Sequence, residues 1–354
     1  MKLGIAGLPR SGKTTIFSAL SRIPATTAQM QKKERSCAVI TVSDSRIDRL
    51  SDIYSPKKTT YATVEIVDFA GFTELSAGQK AGLSTEYLGQ LRAMDALAAV
   101  VRNFSDDITG KPTPTTDIST VIDEFIIADL ISVENRLERI GWAKQRGKGT
   151  PAAEKEELLL KRITEHLSEK KALDSLSIAP DEKPLIDGFQ FLTSKPLLII
   201  LNSADSTFGG NQEIIELLGD RFSVIECAGQ FEEELALLDD EEKALFMADM
   251  GISASARDRL TCALYETAGY ISFITVGPDE VRAWPVRRGT IAVGAAGAIH
   301  TDLAHRFIRA ECCSFTDLIT LGSEKAVRDN GRLRLEGKEY IVRDGDILNI
   351  RASR

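Results

Sequence analysis

The feature that most constrains the fold is a glycine-bounded octapeptide, GLPRSGKT, running from Gly7 to Thr14 directly after the apolar run Leu3 to Ala6. It matches G-x-x-x-x-G-K-[ST] in full, and the TTIFSALSRI that follows Lys13 carries apolar residues at helical spacing, so the order is strand, loop, helix. Such a loop curls until successive backbone N–H groups and the helix N-terminus face an anion. The residues predicted to wrap a triphosphate are Gly7, Pro9, Arg10, Ser11, Gly12, Lys13, Thr14 and Thr15. Lys13 is expected to bridge the β- and γ-phosphates, and the Thr14 hydroxyl to ligate Mg²⁺.

Further strands are predicted at residues 38–42, 62–67, 97–101, 196–201 and 224–228, alternating with helical segments, which implies a doubly wound, mostly parallel α/β sheet. Between the strands at 97–101 and 196–201 lies a long polar excursion. There Ile122, Ile126, Leu130, Val133, Leu137 and Ile140 recur at helical steps, and after Gly147, Gly149 and Pro151 the pattern resumes at Leu159, Ile163 and Leu167. An inserted helical hairpin is the simplest solution. From Tyr270 the texture changes to short segments such as ISFITV, TIAVG, EYIVRDG and DILNIR, which predict a compact, mostly-β domain with Arg343-Asp344-Gly345 as a hairpin turn. The expected division is 1–112 and 185–269 for the two parts of the P-loop domain, 113–184 for the hairpin and 270–354 for the C-terminal domain.

Two more elements complete a nucleotide site. Asp68 ends the strand in VEIVDFAGF, where a carboxylate can hold Mg²⁺ and the Gly71 N–H can sense a γ-phosphate. Asn202-Ser203-Ala204-Asp205 follows the apolar LLIIL as an N-x-x-D sequence close to the N-K-x-D that reads guanine; the bland alternative is an Asx-turn closing a strand. Cys227-Ala228 sits at the next strand end, where a small base-binding loop is expected.

The bulk numbers narrow the remaining choices. With 354 residues, 43% hydrophobic and 27% charged, two or three domains are expected. A net charge of -8 and a pI near 5.2 exclude a polyanion binder of uniformly basic type, so any RNA contact must be a local patch. Five cysteines without a C-x-x-C pair read as reduced thiols and not as a zinc site, and Cys312 and Cys313 are expected to point one inward and one outward on a strand. No signal core or window of ~18 apolar residues is visible, which predicts a cytoplasmic chain without a membrane partner.

The ordered set GLPRSGKT, RIDRLSDIYSPKKTTYATVEIVDFAGF, ADLISVENRLERI, KPLLIILNSAD and EVRAWPVRRGTIAVGAAGAIHTDLAHRFIRAE resembles the YchF family of Obg-related P-loop NTPases over nearly the whole chain, as a divergent member. The resemblance implies a G-type domain, an inserted coiled-coil hairpin and a C-terminal TGS domain of β-grasp type. It also implies slow hydrolysis of GTP or ATP and an association with ribosomes. Several residues depart from the family pattern. Asp205 stands where the family carries a glutamate, and Ser203 where guanine readers carry a lysine. Arg10 replaces an asparagine that in related GTPases helps hold potassium; its guanidinium either takes the cation's place as an arginine finger in cis or pairs with a nearby carboxylate. Phe72 follows Gly71 where many GTPases orient water with glutamine, and Thr26 and Thr27 are the candidates for the switch threonine in a shortened segment.

Other surfaces are weighed beside these. Lys144, Arg146 and Lys148 crowd the hairpin tip, and Arg282, Arg287, Arg288, Arg306 and Arg309 accumulate near Trp284, each a candidate ribosome or RNA contact against the alternative of solvated charge. His300 reads as a structural hydrogen-bonding residue. The expected function is Mg²⁺-dependent purine triphosphate binding and slow hydrolysis in a nucleotide-dependent switch, with Lys13, Arg10 and Gly71 as catalytic candidates. The alternatives are a regulatory module that retains nucleotide without turnover and a P-loop kinase of a small molecule.

Overall fold

The computed structural model describes residues 1–22, 36–69, 85–108, 110–238, 241–242, 245, 247 and 255–353. Gly71, Phe72, Thr26 and Thr27 lie outside the described residues. In chain order, β1 (Lys2–Ala6) leads through the glycine loop into α1 (Lys13–Ser21), followed by β2 (Ser36–Thr41), α2 (Ser45–Tyr54), β3 (Lys58–Thr60) and β4 (Thr63–Asp68). Next come α3 (Thr85–Arg92), β5 (Ala96–Asn103), α4 (Pro114–Gln145), α5 (Pro151–Ser168) and the short α6 (Lys183–Ile186). β6 (Leu197–Ser203), α7 (Gln212–Gly219), β7 (Ser223–Cys227), α8 (Gly229–Leu237) and α9 (Ala256–Thr267) precede a final run. That run is β8 (Tyr270–Thr275), β9 (Glu280–Arg287), α10 (Ala292–Ile299), α11 (Thr301–His305), β10 (Phe307–Ser314), α12 (Phe315–Leu321), α13 (Glu324–Asp329), β11 (Arg334–Glu336) and β12 (Asp346–Ala352).

The chain divides into two compact units, one of residues 2–38 and 66–256, the other of residue 1, 39–65 and 257–354. The first carries a sheet in the order β2-β4-β1-β5-β6-β7, with β1, β5, β6 and β7 mutually parallel in neighbouring pairs. Every residue of β5 is buried, as a strand covered on both faces must be, which is why ALAAVVRN shows no alternation. α4 and α5 pack against each other through the predicted stripe: Val133, Ile140, Leu159, Ile163 and Leu167 are all buried. Each helix opens on a proline in its first turn, where the missing N–H costs nothing, and Thr150 caps α5 by accepting from the Ala153 N–H at 3.2 Å. Arg136 clamps Glu156 across the pair with two hydrogen bonds of 2.7 and 2.8 Å.

The root of α4 is held by a residue that its apolar stripe hides. Asp129 is fully buried and accepts from the Leu192 N–H (3.1 Å), the Thr193 N–H (2.9 Å), the Thr193 hydroxyl (2.8 Å) and Arg92 Nη2 (3.1 Å). Burial raises its pKa above the usual carboxylate range, against the pull of these donors. Among the described residues no helix is long and apolar enough to cross a membrane.

The second unit carries the order β11-β10-β12-β8-β9-β3. β8 and β9 form an antiparallel hairpin, β12 lies parallel to β8 and antiparallel to β10, and α10 intervenes in the chain, which is the β-grasp arrangement. β3 adds to the outer edge, Lys58 to Thr60 running parallel to Glu280 to Arg282. Three local expectations are corrected. The TIAVG segment enters helix α10, because Ala292, Ala295 and Ala296 fall on one helical face and are all fully buried in this unit's core. EYIVRDG forms no strand and contributes one isolated bridge, Ile291 to Ile341, while Arg343-Asp344-Gly345 makes a turn that joins no hairpin. Cys312 and Cys313 are both buried: Cys312 joins this unit's core, while Cys313, on the other face, stands opposite Ile347 of β12 and lines a pocket with Ile53 and Tyr54 of α2.

Candidate functional site

The loop after β1 has the conformation an anion cradle requires. Gly7 and Gly12 have φ of 142° and 90°, and a Cβ at Gly7 would lie 2.4 Å from the Val100 carbonyl oxygen, at Gly12 2.1 Å from Asn202 Nδ2. Arg10 also adopts a left-handed φ of 60°. Helix α1 starts at Lys13, so the loop's amides and the helix N-terminus face the same space. Lys13 is buried, and its ammonium donates to the carbonyls of Gly7 (3.0 Å) and Leu8 (2.8 Å), folding back over the loop. The Ser11 hydroxyl is buried and has no hydrogen-bond partner among the described residues. Pro9 is exposed at the rim.

At the second residue of α1, the Thr14 hydroxyl donates to Asp68 Oδ2 at 3.4 Å. The separation is long for a hydrogen bond, and the two groups present hard oxygen donors side by side, the chemistry that suits Mg²⁺. Asp68 is buried at the end of β4; the neighbouring Tyr87 phenol is held above its ordinary pKa chiefly by its own burial and secondly by the Asp68 charge.

At the other end, Asn202 acts as a clamp. Its Nδ2 donates to the Ser11 carbonyl at 3.0 Å, and its Oδ1 accepts from the Gly229 N–H at 3.0 Å, tying the loop to the start of α8. Both ends of the amide are thereby committed to protein backbone. Ser203 points inward, 3% exposed, and donates to Glu226 Oε1 at 2.6 Å. Asp205 stands exposed on a one-turn 3₁₀ helix, and Cys227 and Ala228 are buried at and just past the end of β7, Cys227 opposite Asn202. Gly12, Thr15, Asn103, Asn202, Ser203 and Asp205 are among the walls of one cleft of about 790 Å³, within the size range of ligand pockets. It opens at the carboxyl ends of parallel β5 and β6, where open α/β sheets bind ligands.

Of the two settings open to Arg10, the ion pair is the one found: Nη2 and Nε donate to Asp106 Oδ2 at 2.8 and 3.2 Å. Asp106 is oriented in turn by the Ile108 N–H (2.8 Å), in a loop that buried Arg102 staples through the carbonyls of Phe104, Gly110 and Lys111. Glu226, Asn103, Asn211 and Asp106 carry no motif; the signal in the sequence is a polar residue near a strand end or, for Asn211, directly before helix α7.

Elsewhere, Lys144 at the hairpin tip is paired with Glu157. In the second unit Arg282 lies over the Trp284 ring, 3.9 Å from its centre, and Arg287 over Tyr270 at 5.4 Å. His300 Nδ1 accepts from the Asp302 N–H at 3.2 Å as the cap of α11.

Two family profiles match the chain: one described as 50S ribosome-binding GTPase over residues 2–139, and the YchF-GTPase C-terminal profile, described as protein of unknown function (DUF933), over residues 270–353. The ribosome-binding ATPase YchF of Bacillus subtilis strain 168 is 35% identical over 362 residues, with 98% of both chains covered. Its namesake in Escherichia coli O157:H7 is 36% identical over 360 residues, again with 98% of both covered. The structure of the Schizosaccharomyces pombe YchF GTPase superposes with a TM-score of 0.85 at 29% identity, covering 99% of this chain and 97% of that one.

Proposed function

The chain belongs to the YchF family, and from that premise we propose that it binds a purine nucleoside triphosphate with Mg²⁺ in this cleft, hydrolyses it slowly and acts as a nucleotide-dependent switch at the ribosome. The observation that carries the proposal is the continuity of the cleft: one cavity runs from Gly12 of the glycine loop and Thr15 of α1 to Asp205. In this reading the cavity takes the phosphates at the Gly12 end and the base at the Asp205 end. The relatives named as ribosome-binding ATPases support the nucleotide and the ribosome alike.

In this reading Gly7, Pro9, Arg10, Ser11, Gly12, Lys13, Thr14 and Thr15 surround the phosphates. The Lys13 ammonium exchanges the carbonyls of Gly7 and Leu8 for phosphate oxygens, and the Ser11 hydroxyl gains a partner. Thr14 and Asp68 would hold Mg²⁺, which supplies charge neutralisation at the phosphates. The Gly71 N–H senses the γ-phosphate, and Asp205 accepts from the base edge, with Asn202, Cys227 and Ala228 shaping the floor. Water attacks the γ-phosphate in line. Slow turnover fits a guanidinium that Asp106 already engages and a chain with Phe72 where other GTPases orient water. The hairpin at 113–184 and the β-grasp domain at 270–354 are the surfaces offered to the ribosome or RNA, the Arg282–Trp284 stack foremost.

Calorimetry with GTP and with ATP at millimolar Mg²⁺, repeated on Lys13→Ala, tests the binding. Heat with at least one nucleotide and its loss in the variant are expected; no heat with either sinks the proposal. Single-turnover phosphate release then separates slow hydrolysis from a module that only retains nucleotide, and co-sedimentation with ribosomal subunits tests the partner.

A further inference from the structure

The polar cluster beneath the base end of the cleft is larger than the clamp already described. Asn103, Ser203 and Glu226 stand at or next to the carboxyl ends of β5, β6 and β7, with Asn103 opposite Ser203 across the β5–β6 pair and Glu226 opposite Leu201 across the β6–β7 pair. Glu226 is 9% exposed. Its Oε1 accepts from the Ser203 hydroxyl (2.6 Å) and from Asn211 Nδ2, and its Oε2 accepts from the Gly209 N–H (3.1 Å). Asn103 Nδ2 adds a hydrogen bond to the Ser203 hydroxyl at 2.9 Å. Among the described residues no lysine or arginine pairs with this carboxylate.

The donors to Glu226 bracket one segment. Ser203 lies two residues before Asp205, and Gly209 and Asn211 lie four and six after it, so the carboxylate grips the base-facing loop on both sides. A buried charge without a counter-ion depends on its hydrogen-bond donors, and any loop movement that withdraws Gly209 or Asn211 leaves it undersolvated. The cost of that exposure holds the loop in one conformation, with Asp205 presented to the cleft. Ser203, where guanine readers carry a lysine, is the upstream anchor of this grip.

We propose that Glu226 is a positioning residue for base recognition: by holding Ser203, Gly209 and Asn211 it sets the place of Asp205 against the purine. The proposal rests on the reading of the cleft as a nucleoside triphosphate site. Because it concerns the base end alone, it separates base from phosphate binding. The test compares, in Mg²⁺, the dissociation constants of GTP, ATP and inorganic tripolyphosphate for the full-length wild type, Glu226→Val, Glu226→Gln and Asn211→Ala, with a thermal melt of each. Glu226→Val is expected to lower the affinity of the better purine triphosphate by about ten- to a hundredfold with tripolyphosphate unchanged. Glu226→Gln, which keeps an acceptor for Ser203, recovers part of that loss. Asn211→Ala, at a half-buried loop position, shifts the same ratio in the same direction even if Glu226→Val fails to fold. An unchanged ratio in Glu226→Val or in Asn211→Ala overturns the proposal, and so does an equal loss of tripolyphosphate, which would make the carboxylate a support of the whole site. If the wild type binds tripolyphosphate but gains nothing from either purine, base reading itself is absent and the proposal falls with it; if the wild type binds none of the three, it is the nucleotide assignment that fails.

Discussion

Arg10 occupies the loop position where the two candidate roles of a guanidinium compete, and its partner decides which one the resting protein holds. An arginine finger contributes roughly 10³-fold or more to turnover, whereas a half-exposed ion pair such as Arg10–Asp106 contributes little. Turnover of Arg10→Ala is therefore expected within about threefold of wild type, and Arg10→Asn to acquire a dependence on K⁺; a loss near a thousandfold in both, measured with and without K⁺, would restore the finger. The thiols of the β-grasp unit make a second residue-scale case. Burial raises Cys312 to about 12 and Cys313 to about 11, so neither is a thiolate near neutrality. A thiol reagent at pH 8 should label exposed Cys37 first and reach this pair only on unfolding. The sign of the linkage follows: groups with raised folded-state pKa values contribute stability that is present below the unfolded thiol value of about 8.5 and is lost as pH rises through about 11 to 12. Melting temperature against pH should fall in that alkaline window, and less steeply in Cys313→Ala.

At the scale of elements, the site is a junction of the glycine loop, the end of β6 and the start of α8, and one side chain spans it. Replacing Asn202 by Ala removes two buried hydrogen bonds, leaving the Ser11 carbonyl and the Gly229 N–H without those partners. Each such loss costs about 1–3 kcal/mol. Denaturant unfolding of Asn202→Ala is expected to show a stability loss of about 2–6 kcal/mol together with weaker nucleotide binding, by the same principle. A variant that loses nucleotide with an unchanged unfolding midpoint would instead make Asn202 a direct ligand of the base. The hairpin shows a related economy: Asp129 fastens α4 to residues 192–193 and to Arg92 at the end of α3 by hydrogen bonds that its apolar neighbours seclude from water.

For the whole molecule, the consequential fact is that one compact unit is assembled from distant pieces of chain. Residues 39–65 belong with 257–354, and β3 extends the sheet edge beside β9. A cut near residue 269 therefore strips α2 and β3 of their packing partners. The fragment 1–269 is expected to aggregate or to melt well below the full chain, and 270–354 alone to lack the edge strand that Lys58 to Thr60 supply. Circular dichroism melts of the two fragments and the intact protein check this; two fragments each as stable as the parent would show that the pieces fold independently.

Much of this was legible in sequence because it depends on local chemistry. Gly7 and Gly12 announce a left-handed turn, and the continuous apolar runs of β5 and β6 a sheet covered on both faces. The stripe from Ile122 to Ile140 foretold a packed helix for the same reason of period. What escaped was non-local. Alanines in TIAVG become a helix only because a core receives one face of it, and Cys313 is buried where distant Ile53 and Tyr54 of α2 stand beside it. Asn103, Ser203, Asn211 and Glu226 share no pattern along the chain and meet only where parallel strands end together. Neighbouring residues along the chain dictate the glycine loop's left-handed conformation and the class of sheet behind it, since backbone conformation and hydrophobic period are local properties. Tertiary structure alone decided that Arg10 faces Asp106, that Asn202 is a clamp and that a buried carboxylate underlies Asp205, because hydrogen-bond partners are chosen by proximity in space.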